Sequence, residues 1–123
     1  VKNFLLDLEY DIVHEDSEDE VFIVESEDVG INNLFIAITD EILILEQFLF
    51  EIKSDNKDIF KELLIKNRDI IHGAFALDEA GKKVVFRDTL QIENLDLNEL
   101  EGTLNSLEVL LSEYAHRIIE LSA

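Results

Sequence analysis

Apolar residues recur along this chain with two different periods, and the changes of period divide it into elements. From Lys2 to Ile12, Phe4, Leu5, Leu8 and Ile12 follow a three-to-four spacing that predicts a short amphipathic helix. The run "HEDSEDE" after it reads as a charged, solvated turn. Val21 to Glu25 has strand composition, and "SEDVGINN" supplies turn residues around Gly30. Leu34 to Ile38 and Ile42 to Ile52 predict two more strands, joined at Thr39, Asp40 and Glu41. The second is apolar on both sides: Leu43, Leu45 and Leu49 on one, Ile42, Ile44, Phe48, Phe50 and Ile52 on the other. A strand with so little polar surface is covered on both faces or offered to another chain.

The period then changes. Ser54, Asp55 and Asn56 are natural helix N-caps, and Ile59, Phe60, Leu63, Leu64, Asn67, Ile70 and Ile71 follow at helical spacing. The helix is expected to end near His72 and Gly73. Ala74 to Asp78 and Lys83 to Glu93 form two strands around "DEAG". In the latter, Asp88 stands among Val84, Phe86, Leu90 and Ile92 on one face. An unpaired carboxylate there would be costly. Asp88 and Arg87 are therefore expected to be structural, through a bulge at Arg87–Asp88 or through local partners such as Thr89, Arg87 or His72. The last helix opens on a capping pattern, Asp96 and Glu99, and carries Leu97, Leu100, Leu104, Leu107, Leu111, Tyr114, Ile118 and Leu121. A stripe of about 25 residues makes a helix of ~38 Å. Leu110, Ala115 and Ile119 widen it beyond a coiled-coil seam, so it should cover a sheet. The expected fold is one α+β domain over residues 1–123, an antiparallel sheet packed with helices in the order α-β-β-β-α-β-β-α.

Composition changes the picture of partners. The 123 residues are 47% hydrophobic, enough for one core, yet carry 29 Asp and Glu against 10 Lys and Arg, a formal charge of -19. That balance excludes nucleic acid and anionic membrane surfaces as partners, because both demand clustered cations. The absence of cysteine removes disulfides and thiolate chemistry. No apolar run is long enough for a membrane helix, and the first residues lack the form of a signal peptide, so the expected compartment is the cytoplasm.

Candidate chemistry is sparse. His14, His72 and His116 stand without a partner at catalytic or metal-binding spacing; His116 is expected to form a surface ion pair with Glu113, three positions before it. From Asp16, the residues Glu18, Glu20 and Glu27 fall at calcium-loop positions, but Val21 occupies the place where that loop needs glycine. The four glycines are scattered, so there is no phosphate loop, and Gly102 falls inside the last helix. These patterns point to no enzyme, no cofactor and no metal.

The stretch "ELLIKNRDIIHGAFALDEAGKKVVFRDTLQIENLDLNELEGTLNSL" resembles the type III secretion chaperone-like group, which includes the Tir-chaperone and YbjN-like families. The resemblance lies in Leu63, Leu64 and Asn67 of the middle helix, in the hairpin "GAFALDEAGKKVVFRDTL" and in "LDLNELEGTLNSL" opening the final helix. It implies a non-catalytic cytoplasmic homodimer that holds a protein partner on apolar patches. Phe4, Leu5 and Leu8 of the first helix, with Phe48 and Phe50 of the long strand, are then the partner-binding candidates. Ile59, Phe60, Leu63 and Leu64 are the candidates for the dimer interface. The alternative is an acidic accessory protein, unrelated to secretion, that docks a basic partner.

Overall fold

A computed structural model describes residues 1–53 and 57–122. Its elements are α1 (Lys2–Asp7), β1 (Asp11–Asp16), β2 (Val21–Ser26), β3 (Ile31–Thr39), β4 (Ile42–Glu51), α2 (Lys57–Lys66), β5 (Ala74–Leu77), β6 (Lys83–Gln91) and α3 (Leu97–Leu121). Short 3-10 turns lie at Glu27–Val29 and Asn67–Asp69. The expected caps Ser54, Asp55 and Asn56 fall outside the described residues.

The fold is α+β with an antiparallel sheet, as expected, but the amino-terminal end differs in detail. The first helix stops at Asp7, Glu9 turns the chain with a positive φ of 64°, and Asp11–Asp16 becomes a strand. Four strands therefore precede α2. The β1 strand is hard to see in the sequence because it is a mostly exposed edge, whose order comes from backbone pairing with β2 and not from an apolar face. The true turn is shorter than "HEDSEDE". The Asp16 carboxylate accepts from the N–H groups of Glu18 and Asp19 at 3.0 and 3.1 Å and closes it locally.

The six strands run in the order β1-β2-β3-β4-β6-β5, every neighbour antiparallel. Chain order is broken once. β4 pairs with β6, and the chain between them makes an excursion through α2 to place β5 on the outer edge. One face of the sheet carries the core: Phe22, Val24, Leu34, Ile36, Leu43, Leu45, Phe75, Val84 and Phe86 are buried there. Leu100, Leu104 and Leu107 of α3, Leu5 of α1 and Leu63 of α2 complete the same cluster.

A β-bulge decides the fate of the long strand. The β4–β6 register shifts between Phe48 and Phe50. The extra residue breaks the two-residue alternation, so Phe50 is buried while Phe48 is 54% exposed on the opposite face. Simple counting along the sequence places both on one side.

Two glycines hold the α2–β5 connection in place. Gly73 has φ +83°, and a Cβ built there would lie 2.4 Å from Cζ of Phe86, so β5 enters the sheet pressed against a core ring. The 3-10 turn ends the α-helical conformation before Gly73, which serves strand entry and not helix termination. Gly102 of α3 lies under the His72 imidazole, whose Nε2 would be 3.2 Å from an added Cβ. Ser106, one turn on, donates to the His72 carbonyl at 2.8 Å and accepts from its N–H at 3.2 Å.

Asp88 keeps to regular pairing opposite Leu45; there is no bulge at Arg87–Asp88. Its carboxylate accepts from the Thr89 N–H at 2.8 Å and from the buried Thr103 hydroxyl of α3 at 2.7 Å. Arg87, on the other face, reaches Glu46 of β4 at 3.3 Å. Asp96 accepts from the N–H of Glu99 at 2.8 Å and caps α3. Among the described residues, no side-chain hydrogen bond returns from Glu99.

Candidate functional site

The helices leave one face of the sheet uncovered. Alternation puts Ile23 of β2, Phe35 and Ala37 of β3, Ile42, Ile44 and Phe48 of β4, and Val85 of β6 on it, in facing pairs: Ile23 with Phe35, Ala37 with Ile44, Phe48 with Val85. The small residue Ala37 and the flanked Val85 are buried by these neighbours, whereas Phe35 (36%), Ile42 (44%) and Phe48 remain exposed. The Glu46–Arg87 pair lies on the same face, opposite Phe35, so the exposed apolar side chains surround a charged centre. Exposed apolar side chains spread across adjacent strands have the character of a contact surface for another polypeptide.

A second apolar hollow lies at the far edge. Phe60, Leu63 and Leu64 of α2 face Phe75, Ala76 and Leu77 of β5 across a groove of about 260 Å³. Leu64 is 69% exposed and Leu77 45%, while Leu63 is buried and anchors α2 to the sheet.

A polar clasp fixes α2 in this position. Arg117 of α3 grips the Glu62 carboxylate with two donors, Nε and an Nη, each at 2.7 Å. Tyr114 donates its hydroxyl to the same carboxylate at 2.5 Å, packs its ring 5.6 Å from that of Phe75, and lies beneath the Lys66 ammonium at 5.5 Å. The Arg117 hydrogen bonds, followed by that of Tyr114, hold the Glu62 pKa down at about 2. Burial first, then the bond to Glu62, pushes the Tyr114 hydroxyl up to about 12. Midway along α3, Tyr10 donates to Glu108, and burial with that bond raises the Tyr10 hydroxyl well above its ordinary range. Thus α3 is tied by one tyrosine to the chain after α1 and by another to α2.

The residues singled out from the sequence divide between these surfaces and the core. Leu5, Phe50 and Leu63 lie within the core. Phe4, Leu8, Ile59 and Phe60 are half-buried and packed against it. Phe48 and Leu64 project to solvent on different surfaces, the open sheet face and the α2 groove. Of the histidines, His116 stands 3.9 Å from Glu120, four positions on, and not in a pair with the expected Glu113, and His72 packs on Gly102. Among the described residues no three His, Asp or Glu side chains form a cluster able to hold a metal ion. No described helix is long and apolar enough to cross a membrane. Glu62, Tyr114 and Arg117 drew no notice as a group in the sequence, because their spacing of 52 and 55 positions leaves no local trace.

Residues 1–123 match the sequence profile of the CesT_Tir_1 family. The chain belongs to this family. The sequence matches no curated protein. Among solved structures, YbjN from E. coli superposes with a TM-score of 0.68 at 15% identity, covering 94% of this chain and 90% of that one. The ExsC–ExsE complex gives 0.62 at 20% identity, with 91% and 85% covered. The Yersinia pestis type III secretion chaperone SycH, in complex with a fragment of YscM2, gives 0.59 at 17% identity, with 98% and 95% covered. This CesT_Tir_1 family member thus has the type III secretion chaperone-like fold, and solved structures of that fold include complexes with protein partners.

Proposed function

We propose that this chain is a non-catalytic, chaperone-like module that holds a segment of a partner protein on the open face of its sheet. The observation that carries the reading is the exposure of Phe48, Phe35 and Ile42 on a face that none of the described helices covers. Solvent-exposed aromatic and β-branched side chains on one face of neighbouring strands supply the area that alternate residues of a bound segment need. Known complexes of the fold, the HopA1–SchA chaperone–effector complex and SycH with a fragment of YscM2, support a role in holding a protein partner. The half-buried Phe4 and Leu8 of α1 offer a second point of contact where the segment passes the amino-terminal helix.

The protein acts as a cytoplasmic homodimer in this reading, with Ile59, Phe60 and Leu64 of α2 at the interface and Leu63 supporting them from below. Charge supports that placement. All Lys and Arg except Lys2 and Arg117 fall between positions 53 and 87, where Asp55, Asp58, Glu62, Asp69, Asp78 and Glu79 are the acids. Two copies of a strongly acidic protein meet with least repulsion at that end. The same asymmetry favours a second reading, in which the amino-terminal flank, with Lys2 its lone base before Lys53, docks a basic partner.

The deciding measurement is capture of partners from the native host with the unaltered chain and with Phe48→Glu, in low and high salt. Loss of the captured partner in Phe48→Glu and retention in high salt support apolar holding. Capture that ignores the substitution and disappears with salt supports the electrostatic reading, since exposed charges are screened within about 8–10 Å at physiological ionic strength.

A further inference from the structure

Register fixes which charges share the open face with its apolar side chains. Val24 is buried and pairs with Ile12, so the next facing pair, Asp11 of β1 and Glu25 of β2, stands on the opposite, open side. The bulge after Ile12 returns His14 to that side against Ile23, and Asp16 follows opposite Val21. Carboxylates placed directly opposite one another in a ladder repel. Among the described residues no ion pair reaches Asp11, Asp16 or Glu25. Lys2, the only Lys or Arg before position 53, is held by Glu15 at 2.9 Å on the helix-covered side, where Glu15 stands opposite the buried Phe22.

The far half of the face is balanced within itself. Glu46 and Arg87 pair at 3.3 Å, and Glu51 stands opposite Lys83. Of the strand residues on this face, those of β1 and β2 thus leave negative charge without a counterpart, beside Ile23 and Phe35. We propose that the open face takes its occupant in one direction: a partner segment crosses the strands with a lysine or arginine end over Asp11 and Glu25 and its apolar side chains over Ile23, Phe35 and Phe48. From β1 to β4 is three strand spacings, ~14 Å, which an extended chain covers in about four residues. The cationic end relieves the repulsion between the facing carboxylates, so they destabilise the empty protein and stabilise the loaded one. An acidic end is repelled there, and on the β6 side it meets cations that already face glutamates. The inference rests on the open face as the holding surface and adds the chemistry and direction of what it holds.

The test uses the full chain at pH 8, where an ordinary histidine is neutral, and two dye-labelled peptides. Both carry the same stretch of alternating valine and serine; one ends in two lysines, the other in two glutamines. The lysine peptide should bind about tenfold more tightly at low salt, and the difference should vanish when Asp11→Asn is combined with Glu25→Gln. Empty, that double variant should melt at a higher temperature than the unaltered protein, because the facing like charges are gone. A nitroxide on the lysine end should broaden the amide signals of Asp11 and Glu25, and one on the other end those of Phe48 and Val85. Equal affinity for the two peptides, a preference that survives in the double variant, a double variant no more stable than the unaltered chain, or the reverse pattern of broadening overturns the proposal. Phe35→Ser, checked for folding by circular dichroism, tests the surface apart from the direction. Weaker binding of both peptides supports the open face as the holder. Unchanged binding, or no binding of either peptide to the unaltered chain, rejects the open face itself. If Phe35→Ser does not fold, the nitroxide broadening locates the peptides in its place.

Discussion

A methyl group at Gly73 would occupy the space of the Phe86 ring and would also have to adopt a positive φ. Gly73→Ala should therefore destabilise the protein by about 3 kcal/mol or more, combining backbone strain with displacement of a buried aromatic. Urea unfolding measures this, and a loss below ~1 kcal/mol would mean that β5 shifts freely. Asp88 and Thr103 form a different kind of unit. Asp88→Ala strands a buried hydroxyl and should cost about 1–3 kcal/mol, while Thr103→Val added to it should recover much of that loss. Additive losses in the double variant would show that the bond is not what matters. The sequence exposes the Asp88 problem because a charge interrupts an alternating strand. It does not expose the answer, because Thr103 reads as an ordinary position on a helix and meets Asp88 only when α3 lies across the sheet.

Among the elements, α2 depends least on apolar burial. Leu63 is its one buried residue, and the Glu62–Arg117–Tyr114 clasp supplies a polar fastening to α3. The Glu62 carboxyl is lowered from 4.5 to about 2, so its contribution is fully present above pH 4.5 and is lost as pH falls through about 2. The Tyr114 hydroxyl is raised from 10.0 to about 12, so the stability of its neutral form is present below pH 10 and is lost as pH rises through about 12. Glu62→Gln should weaken both limbs, and melting temperatures across pH 2–5 and 9–12 would check it; unchanged slopes at both ends would remove the clasp as their cause. Periodicity made α3 and the three central strands β3, β4 and β6 readable, because each has a long apolar repeat. It failed at β1, an edge with almost no buried side chains, and beyond Phe48, where one inserted residue reverses the faces of β4.

At the scale of the whole molecule, charge and apolar surface are distributed unevenly. The amino-terminal flank is acidic, the α2–β5 end is near balance, and the open sheet face bears exposed apolar side chains. If α2 mediates a dimer, Leu64→Asp together with Phe60→Ser should shift the mass found by light scattering from two chains to one, with the sheet intact by circular dichroism. An unchanged dimer would move the interface elsewhere. The fold class and the family likeness were legible in the carboxy-terminal half, where turns and helix signals are strong. The open face was only half legible: the sequence shows that β4 is apolar on both sides, but not that all three helices choose the same one.

The route of the chain from β4 to β6 has a kinetic meaning. Ile42 faces Gln91 and Glu51 faces Lys83, so the centre of the sheet forms only after a loop of more than thirty residues has closed. The β1–β4 meander needs no such closure and should order first, with the central ladder as the slow, high-contact-order step. Once that ladder is made, α2 and β5 sit on a tethered excursion whose ends are already fixed. They form a unit that can open and re-close without unfolding the rest. Native-state hydrogen exchange should find α2 amides opening well before those of β4 and β6, which gives the molecule a moving part beside a permanent frame.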